Sequence, residues 1–528
     1  MKIKRMRLLG LPALLALILV FAGCSKNNNE TASPSGTASV AASSAAASPT
    51  ASAAASEVST KVTDKTFTML TDSNPSWPYS KDWPVWKWIE EKTGAKFDVQ
   101  LPSGTLYDAL NLTFASGSLP DLIFMPDRTQ AMKYGQQGAL ANILDYKDKM
   151  PNFQKWMEKY PDVAKSFLAA DGKMYMLPTE GFGETNRVVW MYREDIFKKN
   201  NLTPPKTYDE LYDVAKKLKA LYPDSYPIAF RNGLNAMVNF TPNFETNAAY
   251  YKNGAGEIQY GPAEDNYKTM VGYLNKFYKE KLIPSDWLTL QTKQWQDLLS
   301  TDQSFITVDY IGRIDFFNAA LRKENPDFTM AFMPPPAGLP GGKQQNPYTQ
   351  VVENNLAIAS SSKNIEDLVK VFDYFYSEEG RTLLSWGKEG ETYTVVDGQK
   401  KINPDYADSS DLRKRTGLAT NGTYTWIDYD AHLSLASKEL KYAYEEARKY
   451  DSTFNPKPSF TDKEYDTISI TGAAVDKYRD EAIAKFILGS DSLDNWGKYV
   501  DELNKLGLPQ VTALYKAALD RTAQISLK

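Results

Sequence analysis

Residues 66–125 alternate between two hydrophobic periods, and this alternation narrows the possible folds more than any other feature of the chain. A strand pattern at 66–70 is followed by a helix at 85–92, with Val85, Trp86 and Ile89 inward and a stop at Gly94. Phe97, Val99 and Leu101 alternate as a second strand, 106–115 reads as a helix, and 121–125 as a short apolar strand. Parallel neighbours can be joined only through a crossover, and the crossover is right-handed. The order therefore predicts an α/β fold with a mainly parallel sheet between helices. Ligands of such sheets sit at the carboxyl ends of the strands, which places 74–79 and 126–130 beside a cleft.

The alternation resumes after Gly172. Helices are expected at 208–221, entered through Thr207 with Glu210 three residues on, and at 267–281. A buried strand is expected at 305–309, a strand and helix at 356–359 and 365–376, and a helical pair at 493–506 and 509–526. Met333-Pro334-Pro335-Pro336 breaks regular structure and marks a candidate crossing between domains.

Ahead of all this lies a basic head, an apolar run at 8–22 and Gly23-Cys24. That is the pattern of a secretory signal, too short to span a bilayer of about 30 Å. Cys24 is the only cysteine, so an internal disulfide is excluded, and it stands where a lipoprotein signal places the thiol to be lipidated. Residues 25–60, rich in Ser, Ala and Thr, have almost nothing to bury and read as a disordered tether.

The mature chain is long enough for two or three domains. A net charge of −4 with both signs interspersed gives no field for nucleic acid. One histidine, His432, and one cysteine leave little for a transition-metal site, and no cofactor is expected. Aromatic residues make up 12% of the chain, which suits ligands with an apolar and a polar aspect.

The stretch 116–128, which includes Pro120-Asp121-Leu122 and Asp127-Arg128, resembles the first lobe of maltose-binding protein and its relatives. Residues 171–178 and 189–197 resemble the passage into the second lobe, and Pro205-Lys206-Thr207-Tyr208 continues that pattern. Trp386-Gly387-Lys388-Glu389-Gly390-Glu391-Thr392-Tyr393 and 496–500 are similar to the long, lipid-anchored oligosaccharide-binding proteins of Gram-positive ABC importers.

The resemblance implies a two-lobed periplasmic-binding-protein type II fold, each lobe a mainly parallel sheet flanked by helices, with a hinge between the lobes. The expected first lobe comprises 61–180 and 335–390, and the second 181–334 and 391–528. It implies hinge closure on an oligosaccharide ligand, delivery to the ABC permease subunits of a membrane importer, a monomer, and no catalysis. A tethered glycan-active enzyme and a sugar receptor for a sensor kinase remain alternatives. Asp127 and Arg128 match family ligand residues, against a local turn ion pair. Trp77 and Tyr79 stand in the first strand's exit loop, for stacking or for packing at the helix entry. Glu180 or Glu184 falls where the family has an acidic ligand, and Asn235 and Met237 lie in a second-lobe loop. The sugar-contacting tryptophan that maltose-binding protein carries on the segment matching 309–315 has no clear counterpart here; Tyr310, next to Asp309, is the nearest aromatic. Trp386, Glu389 and Tyr393 sit between a ligand role and hinge packing. The acidic calcium loop of many long relatives is missing after 221, so no metal is expected, with Asp405, Asp408 and Asp411 as the alternative.

Overall fold

The structure is a computed structural model that describes residues 61–75, 77–347, 354–423 and 425–527. The signal segment, Cys24 and the tether lie outside the described residues.

The alternation at the start of the body becomes β1 (Lys65–Leu70), α1 (Pro84–Thr93), β2 (Ala95–Gln100), α2 (Leu106–Ser116) and β3 (Leu122–Met125). Local chemistry sets these limits. Pro84 opens α1 at a position that needs no intrahelical donor, and Gly94 closes it at φ 76°. A side chain at Gly94 would also meet the Val62 carbonyl oxygen at 2.1 Å. Thr105 caps α2 by accepting from the Asp108 amide at 3.2 Å. β1 runs parallel to β2 and to β3, and the strand Asn355–Ile358 joins antiparallel to β3. Phe67, Met69, Ile89, Ile123 and Phe153 are buried in the core beneath this sheet.

The second sheet is built around β4 (Val188–Arg193). Ile306–Tyr310 and Met330–Met333 flank it, and both run antiparallel to it. A mainly parallel sheet was expected in this lobe. The difference arises because β4 arrives from the other lobe, and so enters against the strands that the second lobe's own helices connect. Around this sheet Trp190, Phe230, Phe240, Trp287 and Phe305 form one core and Trp295, Ile314, Phe317 and Tyr444 another.

Two lobe boundaries also differ from expectation. The chain does not leave the second lobe at 335: Ala337 exchanges backbone hydrogen bonds with Lys206 and Tyr208, and Gly338 donates to Asn243 at 2.7 Å. The prolines interrupt pairing, and the residues after them resume it. Residues 391–431, expected in the second lobe, pack instead with the first. Tyr393, Ile402, Leu412, Leu418 and Trp426 belong to its core, and the Trp83 indole donates to the Lys414 carbonyl at 2.9 Å. From Val475 to Leu508 the packing is with the second lobe, while Ile525 and Leu527 return to the first. Among the described residues no helix is long and apolar enough to cross a membrane.

Candidate functional site

The crossings show which strand ends border the space between the lobes. β4 begins directly after the crossing at 181–187, and Val188 is paired with Tyr310. Asn355, which begins the strand beside β3, is paired with Met125. The two edges that meet at the hinge are therefore the exits of Ile306–Tyr310 in one lobe and of β1 and β3 in the other.

At the second-lobe edge, Asp309 is buried and held by two guanidinium groups. Arg231 donates from Nε at 2.6 Å and from Nη2 at 3.0 Å, and Arg313 from Nε at 3.2 Å. Arg231 reaches this place because 228–230 runs beside the strand, with the Ala229 amide donating to Ile306 at 3.0 Å. The chain then turns at once through Asn232 (φ 74°) and Gly233 (φ 53°), left-handed conformations that Asn and Gly adopt most readily. Trp295 is fully buried beneath, with the guanidinium carbons of Arg231 and Arg313 at 5.2 and 5.5 Å from its ring. Above this base Tyr310 is 47% exposed and Phe316 46%. Two half-exposed rings beside a fixed array of charged donors can cover the C–H faces of a sugar and hydrogen-bond its hydroxyls.

At the first-lobe edge Asn355 is buried, and among the described residues neither of its amide atoms nor the buried Thr71 hydroxyl has a hydrogen-bond partner. Unpaired buried amides are costly, so both groups stand ready for a ligand or water. Asn355 escapes sequence reasoning because its strand reads as uniformly apolar; its one signal is the Asn354-Asn355 pair directly ahead of that strand. Asp127 and Arg128, matched through the family motif, are occupied otherwise. Asp127 caps the helix Arg128–Gln136 by accepting from the Gln130 amide at 2.9 Å, and it also accepts from the Tyr107 hydroxyl at 2.9 Å. Arg128 is 3% exposed and donates to the Pro458 carbonyl at 3.1 Å and the Ser459 hydroxyl at 2.7 Å. It pins the segment ahead of the C-terminal helices to the first lobe.

Most remaining candidates pack rather than present. Tyr79 meets Trp83 edge-on at 5.4 Å, and half-buried Trp77 carries the Arg413 guanidinium 5.0 Å above its ring. Trp386 and Tyr393 are first-lobe core, 5.8 Å apart, and Glu389 is exposed on the turn between them. Glu184 is bound to Arg187 and Arg448 at the crossing. Glu180, beside it, pairs through its backbone with Thr425 and Ile427. Burial raises its carboxyl above the usual range, against the opposing pull of Arg381 and Lys159. Met237 is buried and Asn235 exposed along a cavity of about 190 Å³ that Tyr267, Arg479 and Ile483 also line. Among the described residues no group of three His, Cys, Asp or Glu side chains could hold a metal ion. Asp408 caps the helix Ser409–Thr416, and Asp411 pairs with Arg415.

Two α/β lobes joined by crossing segments, with rings and arginines at the strand ends beside the hinge, make a hinged solute receptor. The chain belongs to the family of bacterial extracellular solute-binding proteins, whose sequence profile matches residues 78–382. It is similar to the fructooligosaccharide ABC transporter substrate-binding protein FusA of Streptococcus pneumoniae serotype 4, 24% identical over 501 residues covering 87% of this chain and 90% of that one. It is also similar to the polygalacturonan/rhamnogalacturonan-binding protein YtcQ of Bacillus subtilis, 24% identical with 82% and 87% covered. Among solved structures, the alginate-binding protein AlgQ2 without calcium superposes with a TM-score of 0.76 at 23% identity, covering 88% of this chain and 99% of that one.

Proposed function

We propose that this chain is the substrate-binding component of an ABC importer, which encloses an oligosaccharide between its lobes and hands it to membrane permease subunits. The observation that carries the reading is the pair of half-exposed rings, Tyr310 and Phe316, beside the Arg231–Asp309–Arg313 array at the hinge-side strand ends. FusA, YtcQ and AlgQ2, which bind fructooligosaccharide, polygalacturonan or rhamnogalacturonan, and alginate, support the same ligand class. The reading is non-catalytic, because the one carboxylate of this array is committed to two guanidiniums rather than placed as an acid or base. The protein acts as a monomer on the outer face of the membrane, held there by acyl chains on Cys24.

Calorimetric titration with a panel of oligosaccharides tests this reading. At least one sugar is expected to bind without being cleaved; turnover at roughly 1 s⁻¹ would identify an enzyme instead. Tyr310→Ala should weaken that binding at least tenfold, about 1.4 kcal/mol. Because the ring is half exposed, stability should stay within about 0.5 kcal/mol. Equal affinity in the variant would remove Tyr310 from the site. Cys24→Ala should move the protein from the membrane to the soluble fraction of fractionated cells; retention with the membrane would contradict the lipid anchor.

A further inference from the structure

We propose that the captured sugar is anionic, a uronate whose carboxylate is received by the terminal nitrogens of Arg313 beside Arg231. This rests on the oligosaccharide reading above and narrows it.

The second-lobe edge holds two guanidinium groups against one carboxylate. Arg231 is satisfied: Nε and Nη2 donate to Asp309 and Nη1 to the Thr292 hydroxyl at 3.2 Å. Arg313 donates to Asp309 through Nε alone, and among the described residues its two terminal nitrogens have no hydrogen-bond partner. The nearest other acid on its helix, Asp315, is turned away, accepting from the Ser437 amide at 2.9 Å and from its hydroxyl. On the neighbouring helix Lys293 and Asp297 pair with each other at 3.0 Å. The edge therefore carries one uncompensated positive charge.

The Arg313 fork is also preset. Its guanidinium carbon lies 5.1 Å from the Phe316 ring and 5.5 Å from that of Trp295, with Nε fixed by Asp309. Its side chain keeps 22% of its surface open. A planar fork held between rings matches the two oxygens of a carboxylate. Arg187 and Arg193 differ, since each is closed off by two carboxylates. Closure would take Arg313 out of water. A neutral sugar would leave that charge uncompensated, a costly state, whereas a carboxylate would pair it. Tyr310 and Phe316 would cover the ring faces of the same residue.

The full chain should be titrated with two matched pairs: trigalacturonate against its carboxyl-reduced trigalactose, and trimannuronate against its carboxyl-reduced trimannose. In at least one pair the acid is expected to bind at least tenfold tighter than the reduced sugar. That ratio should shrink as salt is raised from about 20 to about 500 mM, as screening of an ion pair requires. Arg313→Gln should abolish the preference and Arg313→Lys should keep part of it. Equal or tighter binding of the reduced members would overturn the charge assignment while leaving the oligosaccharide reading standing. Binding by neither member of either pair, nor by any neutral sugar of the panel, would remove both. The comparison of paired ligands on the unaltered chain needs no variant to fold.

Discussion

Arg187→Met is expected to lower the unfolding free energy by about 3–5 kcal/mol, the usual cost of removing one partner from a buried ion pair. The Arg187 side chain is 2% exposed and stands at the crossing into β4. Its Nε and Nη2 donate to Glu184 at 3.1 and 2.7 Å, Nη2 donates to Asp451 at 2.8 Å, and Nη1 completes the bidentate pair with Asp451. Its carbonyl accepts from the Ile311 amide at 2.7 Å, next to Tyr310. The variant keeps the methylene stem but leaves Asp451 with no cation, while Glu184 retains Arg448 at 2.6 Å. The same two carboxylates hold the guanidinium pKa above its ordinary value, despite the opposing effect of burial, so the pair stays ionised. Urea denaturation followed by tryptophan fluorescence measures the loss. A change below about 1 kcal/mol would mean that the crossing does not depend on this tie.

The second large effect is acid sensitivity centred on His432. Its Nε2 lies 2.9 Å from the Tyr444 hydroxyl, which donates its own proton to the Thr185 carbonyl at 2.7 Å. The hydroxyl must then accept, which makes Nε2–H the donor of a neutral imidazole. Burial above all, with Arg413 adding repulsion, pushes the imidazole pKa down to about 3 from the usual 6.5. The sign follows from proton binding. Between these two values the unfolded chain binds a proton that the folded chain refuses, so this group's contribution falls as pH falls through the window. The loss approaches about 1.4 kcal/mol per pH unit below the ordinary value. Glu180, Asp315 and Asp373, raised by burial, act in the opposite sense. The measurement is therefore the difference between the chain and His432→Gln from pH 7 to about 4. The variant should show the flatter acid limb; parallel curves would contradict an imidazole that stays neutral in the folded chain.

The first lobe's βαβαβ order was legible because its signals are local: Pro84 at a helix entry, Gly94 at its end, Thr105 as a cap, and period-two alternation in β2. The antiparallel setting of β4 was not, since the direction in which a strand enters a sheet depends on a crossing that leaves no local trace. Residues 391–431 went to the wrong lobe for the same reason, as their partners Trp83 and Val85 lie more than 300 positions away. In the site, Asp127 shows the ambiguity most clearly. An aspartate directly after a strand is equally a ligand group or the cap of the next helix, and here the Gln130 amide claims it. Trp386 and Tyr393 matched a family motif, but a motif does not tell which way a ring faces, and both rings are core. Asp309 and Tyr310 were reached through the resemblance to maltose-binding protein, and they close the strand Ile306–Tyr310. Their partner Arg231, 78 positions before Asp309, looked no different in sequence from the structural Arg193.

Small-angle scattering on the soluble body, with and without a saturating oligosaccharide that calorimetry has shown to bind, tests the hinged clamp most directly. The sugar must favour the shut arrangement to hold it shut. The radius of gyration should fall on binding, and the fall should vanish in Tyr310→Ala at a concentration that leaves that variant empty. Superimposable curves at full occupancy would contradict a receptor that works by closing its lobes.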